Sequence, residues 1–384
     1  MCKRIKILSI CIFVSGMLTG CWDRTEIDDI NFILGMAIDK GEEEGYRVTY
    51  QWPSPELFSV QNPGQGSTTS FSVNGETITE AHRNITEISP RRPLFSHLET
   101  VIVGMEVAEE SIANILDILG RQFQLRRTIN IVLATNKAED IIRSEVPFNK
   151  VSSTGITDLL NFSNRSSTYL NVTLSDFYTK YTDPDTYAYL PVVEIVSPEE
   201  LTTLKQAGET GMVRAVSMAF INGGKIALVL PRDLSKAWLY TQGQIQKGAY
   251  TTSTIGGKQF SIRNIEQKGQ TDVKIQNGTI KTAIKIKQDA FLNEIEEKHQ
   301  QEINIEKLAH NVEKFVKEEV TRVVELSQKE GIDIFEIGRQ VRENYPKKWG
   351  EVKKNWKEEY KQVEFDVEVK IEIHHTSALR KRGM

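Results

Sequence analysis

One cysteine near the start of the chain stands in a setting that points to covalent chemistry. Cys21 directly follows Leu18-Thr19-Gly20, which is the pattern of a bacterial lipobox. In such a pattern a signal peptide is cut between Gly20 and Cys21, the Cys21 sulfur carries a diacylglyceryl group, and the new amino terminus is open to acylation. The alternative is an ordinary signal peptide with a cysteine at this place by chance. We predict an S-diacylglyceryl cysteine at Cys21.

The preceding residues have the composition of a secretory signal. Lys3, Arg4 and Lys6 give a basic start, and Ile7–Met17 is a short apolar run before the small residues at the cut. A bilayer-spanning helix needs about 20 residues, so this run is short for a membrane span. We predict that residues 1–20 are a cleaved signal peptide and that the rest acts outside the cytoplasm.

The remaining cysteines restrict the chemistry. The sequence has three cysteines, and Cys2 and Cys11 would leave with the signal. Lipidation would consume Cys21, so no thiol would remain for a disulfide, a nucleophile or a metal.

Histidines give no catalytic or metal-binding pattern. The sequence contains six, His82, His97, His299, His310, His374 and His375. None has HExxH spacing, and the adjacent pair His374-His375 at the end of a strand would point to opposite faces. His97 stands before a strand, where we favour a hydrogen-bonded structural role over a ligand role. No G-x-S-x-G is present, so we predict no enzyme, no metal site and no cofactor apart from the lipid on Cys21.

Other charged and aromatic clusters have two interpretations each. Arg91-Arg92 and Arg126-Arg127 could pair with a partner's carboxylates, but we favour solvation or pairing within the domain. Trp349 and Trp356 could mark an interface, where Trp is enriched, but a core role is favoured. Arg380-Lys381-Arg382 could contact anionic head groups, although a frayed tail is the default.

Length and composition limit the broad class. The chain has 384 residues, 39% apolar and 26% charged. This composition suits a folded body of two or three domains. The net charge of −4, with both signs interspersed, argues against a nucleic-acid partner. After the signal no apolar run approaches the length of a membrane span, so the lipid is the membrane anchor that the sequence predicts.

The N-terminal half is predicted to alternate strands and helices. Residues 21–29 form a lipidated, acidic tether, and residues 30–200 an α/β domain with a small connecting subdomain at about 150–200. Predicted strands are Ile30–Ile38, Tyr46–Trp52, Phe71–Val73, Leu98–Gly104, Thr128–Thr135 and Tyr187–Ile195. Predicted helices are Thr77–Ile88, Ala108–Leu119, Ala138–Ser144, Ile156–Phe162 and Leu174–Thr182.

Residues 201–384 are predicted to form an α+β domain. It opens with a hairpin, Arg214–Ile221 and Lys225–Leu230 around Gly223-Gly224, followed by a helix over Pro231–Tyr240. Further strands are expected in Tyr250–Ile265, Val273–Lys287 and Val363–Ile373. Further helices are expected from Asn304 to Gly331, over Asp333–Tyr345, and through Trp349, Trp356 and Tyr360. The fold class is thus α+β (mixed α/β): an N-terminal mixed sheet with helices, and a C-terminal antiparallel sheet covered by long helices.

An ordered series of segments resembles the Ger(x)C family, the C-subunit lipoproteins of GerA-type spore germinant receptors. The matching segments are Cys21–Ile27, Gly35–Asp39, Gly75–Thr77, Ala81–Asn84, Pro90–Arg92, Phe95–Leu98, Val101–Gly104, Arg126–Thr128, Asp333–Phe335, Gly338, Tyr345-Pro346, Trp349, Trp356 and Val367–Ile371. Together they cover nearly the whole chain. Ser152–Thr182 matches least.

The resemblance implies a non-catalytic subunit on the outer face of the spore inner membrane. Its expected partners are an integral-membrane A subunit and a permease-like B subunit, and nutrient recognition is expected in the B subunit rather than here. From the residues alone, a lipid-anchored solute-binding protein of a transporter is the alternative. That class shows two lobes of repeated βα units, whereas residues 201–384 are predicted to be antiparallel. A lipid-anchored hydrolase has no motif behind it.

Overall fold

The structure of the protein is a computed structural model. The described residues are 26, 29–42, 45–54, 68–121, 125–144, 146, 149–163, 167–196, 212–245, 247–255, 258–295 and 304–374. Two larger sheets and a small one organise them, with helices packed against the larger sheets. The predicted mixed α/β class is confirmed.

The first large sheet has eight described strands, of which the central ones are parallel. They are β2 (Gly35–Lys40), β3 (Tyr46–Pro53), β4 (Thr68–Gly75), β6 (Thr100–Gly104), β7 (Asn130–Ala134), β8 (Ala188–Val196), β9 (Met212–Asn222) and β10 (Lys225–Val229). Their order is β10-β9-β8-β7-β6-β2-β3-β4. β2, β6, β7 and β8 run parallel, while β3, β4, β9 and β10 extend the edges antiparallel. Every residue of β6 and β7 is buried, as expected of strands covered on both faces.

Six helices accompany this sheet in the described part of the chain. They are α1 (Ile78–Ile88), α2 (Met105–Ser111), α3 (Ala113–Arg121), α4 (Ala138–Arg143), α5 (Ser152–Asn161) and α6 (Leu174–Tyr181). The Thr77 side chain accepts a hydrogen bond from the Glu80 amide, which caps α1 as its sequence predicts. Outside the sheet, β1 (Ile30–Phe32) and β5 (Arg92–Leu94) form a short parallel pair.

Two predicted elements are each divided in the structure. The single strand predicted over Ile30–Ile38 is wrong, because Ile33 donates its amide to Leu94 and Leu34 donates its amide to Gln51, so β1 and β2 pair with different strands. The helix predicted over Ala108–Leu119 is interrupted at Ile112. There the amide of Ile112 donates to the carbonyl of Gly224, in the β9–β10 turn, which removes it from the helical hydrogen-bond ladder.

The predicted hairpin around Gly223-Gly224 is confirmed by β9 and β10. β9 also pairs with β8 along its length, from Ala188↔Ile221 to Val196↔Met212. The predicted domain boundary at residue 200 therefore falls between two neighbouring strands of one sheet. The hairpin, although it follows that boundary in sequence, completes the sheet of the N-terminal half.

The second large sheet has the order β11-β12-β13-β14 and is covered by helices. Its strands are β11 (Tyr250–Ile255), β12 (Lys258–Gln276), β13 (Thr279–Ile295) and β14 (Glu364–His374). The accompanying helices are α7 (Arg232–Thr241), α8 (Ile305–Glu330), α9 (Ile337–Asn344), α10 (Pro346–Val352) and α11 (Trp356–Lys361). Asn304 caps α8, and Gly331 ends it in the left-handed region at φ 67°, as predicted.

The prediction of an antiparallel sheet is wrong for the last strand, because β14 pairs with β13 in parallel. The reason is the connection: α8 to α11 carry the chain back across the sheet, so β14 enters in the direction of β13. A smaller correction concerns the third helix predicted through Trp349, Trp356 and Tyr360. A 3₁₀ turn over Lys353–Asn355 divides it into α10 and α11.

Candidate functional site

The predicted acylation site lies outside the described residues. Neither Cys21 nor Gly20 is described, and the same holds for His299, His375 and Arg380-Lys381-Arg382. Asp29 lies directly before β1, and its amide donates to the Glu26 carbonyl at 3.1 Å. No helix in the described ranges is long and apolar enough to cross a bilayer. Lipidation therefore stays a prediction.

The Gly35–Asp39 segment of the resemblance is part of β2, where it serves close packing and helix capping. A Cβ on Gly35 would lie 2.5 Å from the Cβ of Ser153 in α5, so glycine lets α5 approach the sheet. The Asp39 carboxylate accepts the amides of Ala138 and Glu139 at 2.7 and 2.8 Å, at the start of α4. Burial raises the pKa of Asp39, and these two hydrogen bonds oppose that effect.

Beside this cap, Glu139 is the centre of a polar network. It accepts hydrogen bonds from Arg47 Nε at 2.5 Å, Ser72 Oγ at 2.7 Å and Arg143 Nε at 3.1 Å. The hydrogen bond from Arg47 is the main reason that the pKa of Glu139 falls to about 2. The network joins β3, β4 and α4 and fixes one edge of the sheet.

The described histidines form no catalytic arrangement. His310 lies 3.6 Å from Glu313 on the exposed side of α8. His374 shares the outer face of β13 and β14 with Asp289 and Glu372, and their possible ligand atoms all lie within 4.8 Å of one another. All three side chains are exposed, and exposed acidic groups often cluster in this way without a metal. The metal-free prediction therefore stays a prediction.

A small apolar cavity of about 30 Å³ lies between α1, α3 and β3. Tyr50, His82 and Phe95 line it, with ring centroids of His82 and Phe95 4.7 Å apart. His82 Nδ1 is buried without a hydrogen-bond partner among the described residues, and burial lowers the pKa of His82. The volume suffices for about one or two water molecules rather than a ligand.

A larger polar cleft lies where β6 and β7 begin. Its volume is about 160 Å³, and its lining residues are His97, Leu98, Glu99, Arg126, Thr128, Ile129, Asn130 and Thr157. Two segments of the resemblance, Phe95–Leu98 and Arg126–Thr128, thus meet here although they are well separated in sequence. The floor is ordered by hydrogen bonds: Asn130 Nδ2 donates to Thr157 Oγ1 at 3.3 Å, and the hydroxyls of Thr157 and Thr100 lie 2.7 Å apart.

The charged groups of this cleft are unpaired among the described residues. Glu99 Oε2 is buried and has no hydrogen-bond partner there. Arg126 is exposed at the opening and forms no ion pair within 4.0 Å in the described part of the chain. His97 is also exposed, and its ring meets that of Phe32 edge-on at 5.1 Å. A hydrogen bond was predicted for His97, and among the described residues it makes this ring contact instead.

The second arginine of the pair behaves as the sequence predicts. Arg127 lies 5.3 Å from the centre of the Tyr178 ring and donates to the Gly120 carbonyl at 3.5 Å. Such a cation–π contact uses Arg127 within its own domain. No sequence signal indicates that its neighbour Arg126 lines the same cleft as a carboxylate from another segment. Glu99 has no sequence signal either, because a single Glu in the predicted strand Leu98–Gly104 belongs to no motif.

A third polar cluster joins the two halves of the chain. Arg342 of α9 donates to Asp183 and Asp185, which follow α6, and Lys180 of α6 pairs with Glu336. All these side chains are at least two-thirds buried. These contacts couple the N-terminal and C-terminal halves electrostatically.

Asp333, three residues before Glu336 of this cluster, is buried and begins the Asp333–Phe335 segment of the resemblance. Its carboxylate accepts the amides of Ile337 and Gly338 at 3.0 and 2.7 Å and Trp356 Nε1 at 3.2 Å. Burial raises the pKa of Asp333 to about 6 despite these donors. Trp356 also meets Trp349 edge-on at 5.2 Å, which agrees with the core role favoured for both.

Comparison with known proteins gives consistent matches over both halves. Residues 23–195 match the family model described as the spore germination protein N-terminal domain, and residues 217–377 match the spore germination B3/GerAC-like C-terminal model. Spore germination protein KC of Bacillus subtilis (strain 168) is 23% identical over 96% of this chain and 93% of that protein. The putative spore germination protein YfkR of the same organism is 35% identical, over 48% of each chain.

A solved structure shares the fold. The crystal structure of the GerBC protein superposes with a TM-score of 0.53 at 18% identity, covering 88% of this chain and 96% of that one. At this identity the likeness concerns the fold alone.

Proposed function

Because the chain belongs to the GerAC family of spore germination proteins, and so has a role in spore germination, we propose that it is the lipid-anchored C subunit of a nutrient germinant receptor. The ordered match of both halves to that family carries this proposal. The N-terminal model match begins at residue 23, directly after the predicted lipobox. This spacing supports a mature protein that starts at Cys21.

In this function the two halves hold a protein surface beside membrane partners and carry out no reaction. The expected partners are the integral-membrane A and B subunits of the same receptor, on the outer face of the spore inner membrane. Cys21 would supply the membrane attachment, since two acyl chains anchor a protein stably whereas one gives marginal binding. The relatives are spore germination proteins by name, which supports a role in germination.

The architecture does not support the alternative, a solute-binding protein of a transporter. Its two lobes should repeat one βα topology, yet the described sheets here differ in strand number, order and direction. The charged contacts between the halves also hold them together rather than leave an open interdomain cleft.

The test is Cys21→Ala, with Cys11→Ala as a matched control inside the signal. Mass spectrometry of the membrane fraction should find diacylglyceryl on the wild type and on Cys11→Ala, and none on Cys21→Ala. Spores with Cys21→Ala should lose germination through this receptor, while the control should respond normally. A normal germination response from unacylated Cys21→Ala protein would refute the anchoring role. Crosslinking in spores should further recover both membrane subunits with the wild type.

A further inference from the structure

We propose that the polar cleft at the start of β6 and β7 binds the head group of a phospholipid that carries a primary ammonium and a phosphate, as phosphatidylethanolamine does. The acceptor for the ammonium is Glu99, and the donor to the phosphate is Arg126. The proposal rests on the proposed function in one respect, because the lipid on Cys21 brings the bilayer within reach. The preference of the cleft for an ammonium and a phosphate is argued only from the residues that line it.

Glu99 defines the cationic end of the ligand. Its Oε2 is buried in the wall of the cleft and lacks a hydrogen-bond partner among the described residues, whereas its backbone is held on both sides. The Glu99 amide donates to Leu34 and its carbonyl accepts from Asn130, at 2.9 and 2.8 Å. A buried carboxylate oxygen without a donor is costly, and a primary ammonium supplies up to three N–H donors. A quaternary ammonium has none.

Arg126 defines the anionic end. Its guanidinium lies at the opening, exposed and without an ion pair among the described residues. A guanidinium matches phosphate oxygens with two parallel donors. The hydroxyl of Thr128 and the ring of His97 line the same opening and offer further hydrogen bonds. Arg126 is thus exposed and Glu99 Oε2 is buried. This order fits a head group whose terminal ammonium enters the cleft while its phosphate stays at the opening.

Size favours a head group over a larger molecule. Pockets for drug-sized ligands measure about 300–1,000 Å³, and this cleft has about 160 Å³. Only the polar end of a lipid would enter it, so the acyl chains would remain in the bilayer. The ordered Asn130–Thr157–Thr100 floor closes the cleft behind the ammonium.

Chain connectivity places this cleft near the predicted anchor. Phe32, whose ring touches His97, follows Cys21 closely in sequence, and Leu34 is bonded directly to Glu99. The stretch from Cys21 to Phe32, about 11 residues, spans at most about 40 Å when it is extended. The tether is therefore short enough to keep the His97 side of the cleft within about 40 Å of a lipid on Cys21.

The test uses the chain from residue 21 with Cys21→Ser, so that no acylation is needed. Calorimetry with monomeric dihexanoyl lipids should detect the phosphatidylethanolamine and give at least tenfold weaker binding of phosphatidylcholine, which lacks N–H donors. Phosphatidylglycerol, which lacks the ammonium, should also bind at least tenfold more weakly. Glu99→Gln should weaken phosphatidylethanolamine binding at least tenfold, and Arg126→Gln should do the same. Arg121→Gln, at an exposed arginine of α3 paired with Asp117, should leave it unchanged.

Several results would overturn the proposal. They are no binding of the ethanolamine lipid, equal binding of the choline lipid, or no effect of Glu99→Gln in a variant with wild-type thermal unfolding. If Glu99→Gln unfolds the protein, Glu99→Asp takes its place. If free phosphoethanolamine binds while phosphatidylethanolamine vesicles do not, the ligand is a soluble molecule and the lipid proposal is wrong. If a synthetic lysine peptide competes at equal affinity, the ligand is a partner protein and the lipid proposal is wrong. Mass spectrometry tests the acylation of Cys21 separately, so the anchoring proposal and the cleft proposal can each fail without the other.

Discussion

Arg342 donates two parallel hydrogen bonds, of 2.9 and 2.8 Å, to the carboxylate of Asp183, a residue 159 positions earlier in the chain. The same guanidinium also bonds Asp185, so one cation neutralises two acidic side chains that lie close together. The hydrogen bond from Arg342 lowers the pKa of Asp183. The pair is therefore a specific link between the two halves.

We predict that Arg342→Gln lowers the free energy of unfolding by about 1–3 kcal/mol, since it leaves two partly buried carboxylates facing each other. A double-mutant cycle with Asp183→Asn, measured by urea unfolding, should give a coupling energy of about 1 kcal/mol or more. Arg322→Gln is the matched control, because Arg322 pairs with Glu319 and Asp233 inside the C-terminal half. Its coupling to Asp183 should be near zero, and equal coupling would contradict the link.

Glu139 should make the protein lose stability in acid. Its pKa in the folded state is about 2, against an ordinary 4.5, because of Arg47. A lowered pKa contributes stability that is complete above about pH 4.5 and disappears as the pH falls towards 2. We expect Glu139→Gln to cost about 1–3 kcal/mol at pH 7 and progressively less at lower pH. Thermal unfolding at pH 3, 5 and 7 checks this, and a cost that is constant with pH would be the wrong outcome.

Asp333 should make the stability depend on pH in the opposite direction to Glu139. Its folded-state pKa of about 6 lies above the ordinary 3.8 because of burial, so the folded state binds the proton more tightly than the unfolded state. Its contribution is complete below about pH 3.8 and is lost as the pH rises through 6, by about 2–3 kcal/mol. The stability difference between wild type and Asp333→Asn should therefore change between pH 4 and 7 in thermal unfolding. A stability difference that stays constant across this pH range would contradict the prediction.

Gly35 should tolerate no added methyl group. Its Cβ would lie 2.5 Å from Ser153 Cβ and 3.0 Å from Ile142 Cδ1. Gly35→Ala should therefore destabilise the protein by about 1–3 kcal/mol. The double variant Gly35→Ala/Ser153→Gly should recover part of this loss in urea unfolding. Gly350→Ala is the control, because nothing lies within 4 Å of its added Cβ in α10. That helical change should be neutral or stabilising by up to about 1 kcal/mol.

Local signals in the sequence predict the local features well. Thr77 and Asn304 cap helices, and Gly331 ends one, because each needs only neighbouring backbone groups. One local signal was missed: Asn277-Gly278 lies inside the predicted β-rich segment Val273–Lys287, yet it forms the turn between β12 and β13 with φ of 50° and 82°. An Asn-Gly pair is a strong hairpin signal, and here it joins β12 and β13 into one long hairpin.

Long-range relationships were beyond the sequence patterns. The parallel pairing of β14 depends on where four helices return the chain, which periodicity does not contain. The cleft depends on Glu99 and Arg126, which precede two neighbouring strands, lining the same space, and neither residue carries a motif by itself. Such sites arise from sheet order, so a single sequence reveals them only through a family resemblance.

The pairing of β9 with β8 has a consequence for how the chain acquires its fold. Until β9 and β10 are in place, the edge of β8 that faces away from β7 is open, and its amides and carbonyls have no strand partner. The first sheet is thus completed only by β10, which ends at Val229, well beyond the end of the N-terminal family match. A fragment cut at residue 200 would keep that edge and tend to aggregate, whereas one extended through β10 would carry its own covering strands.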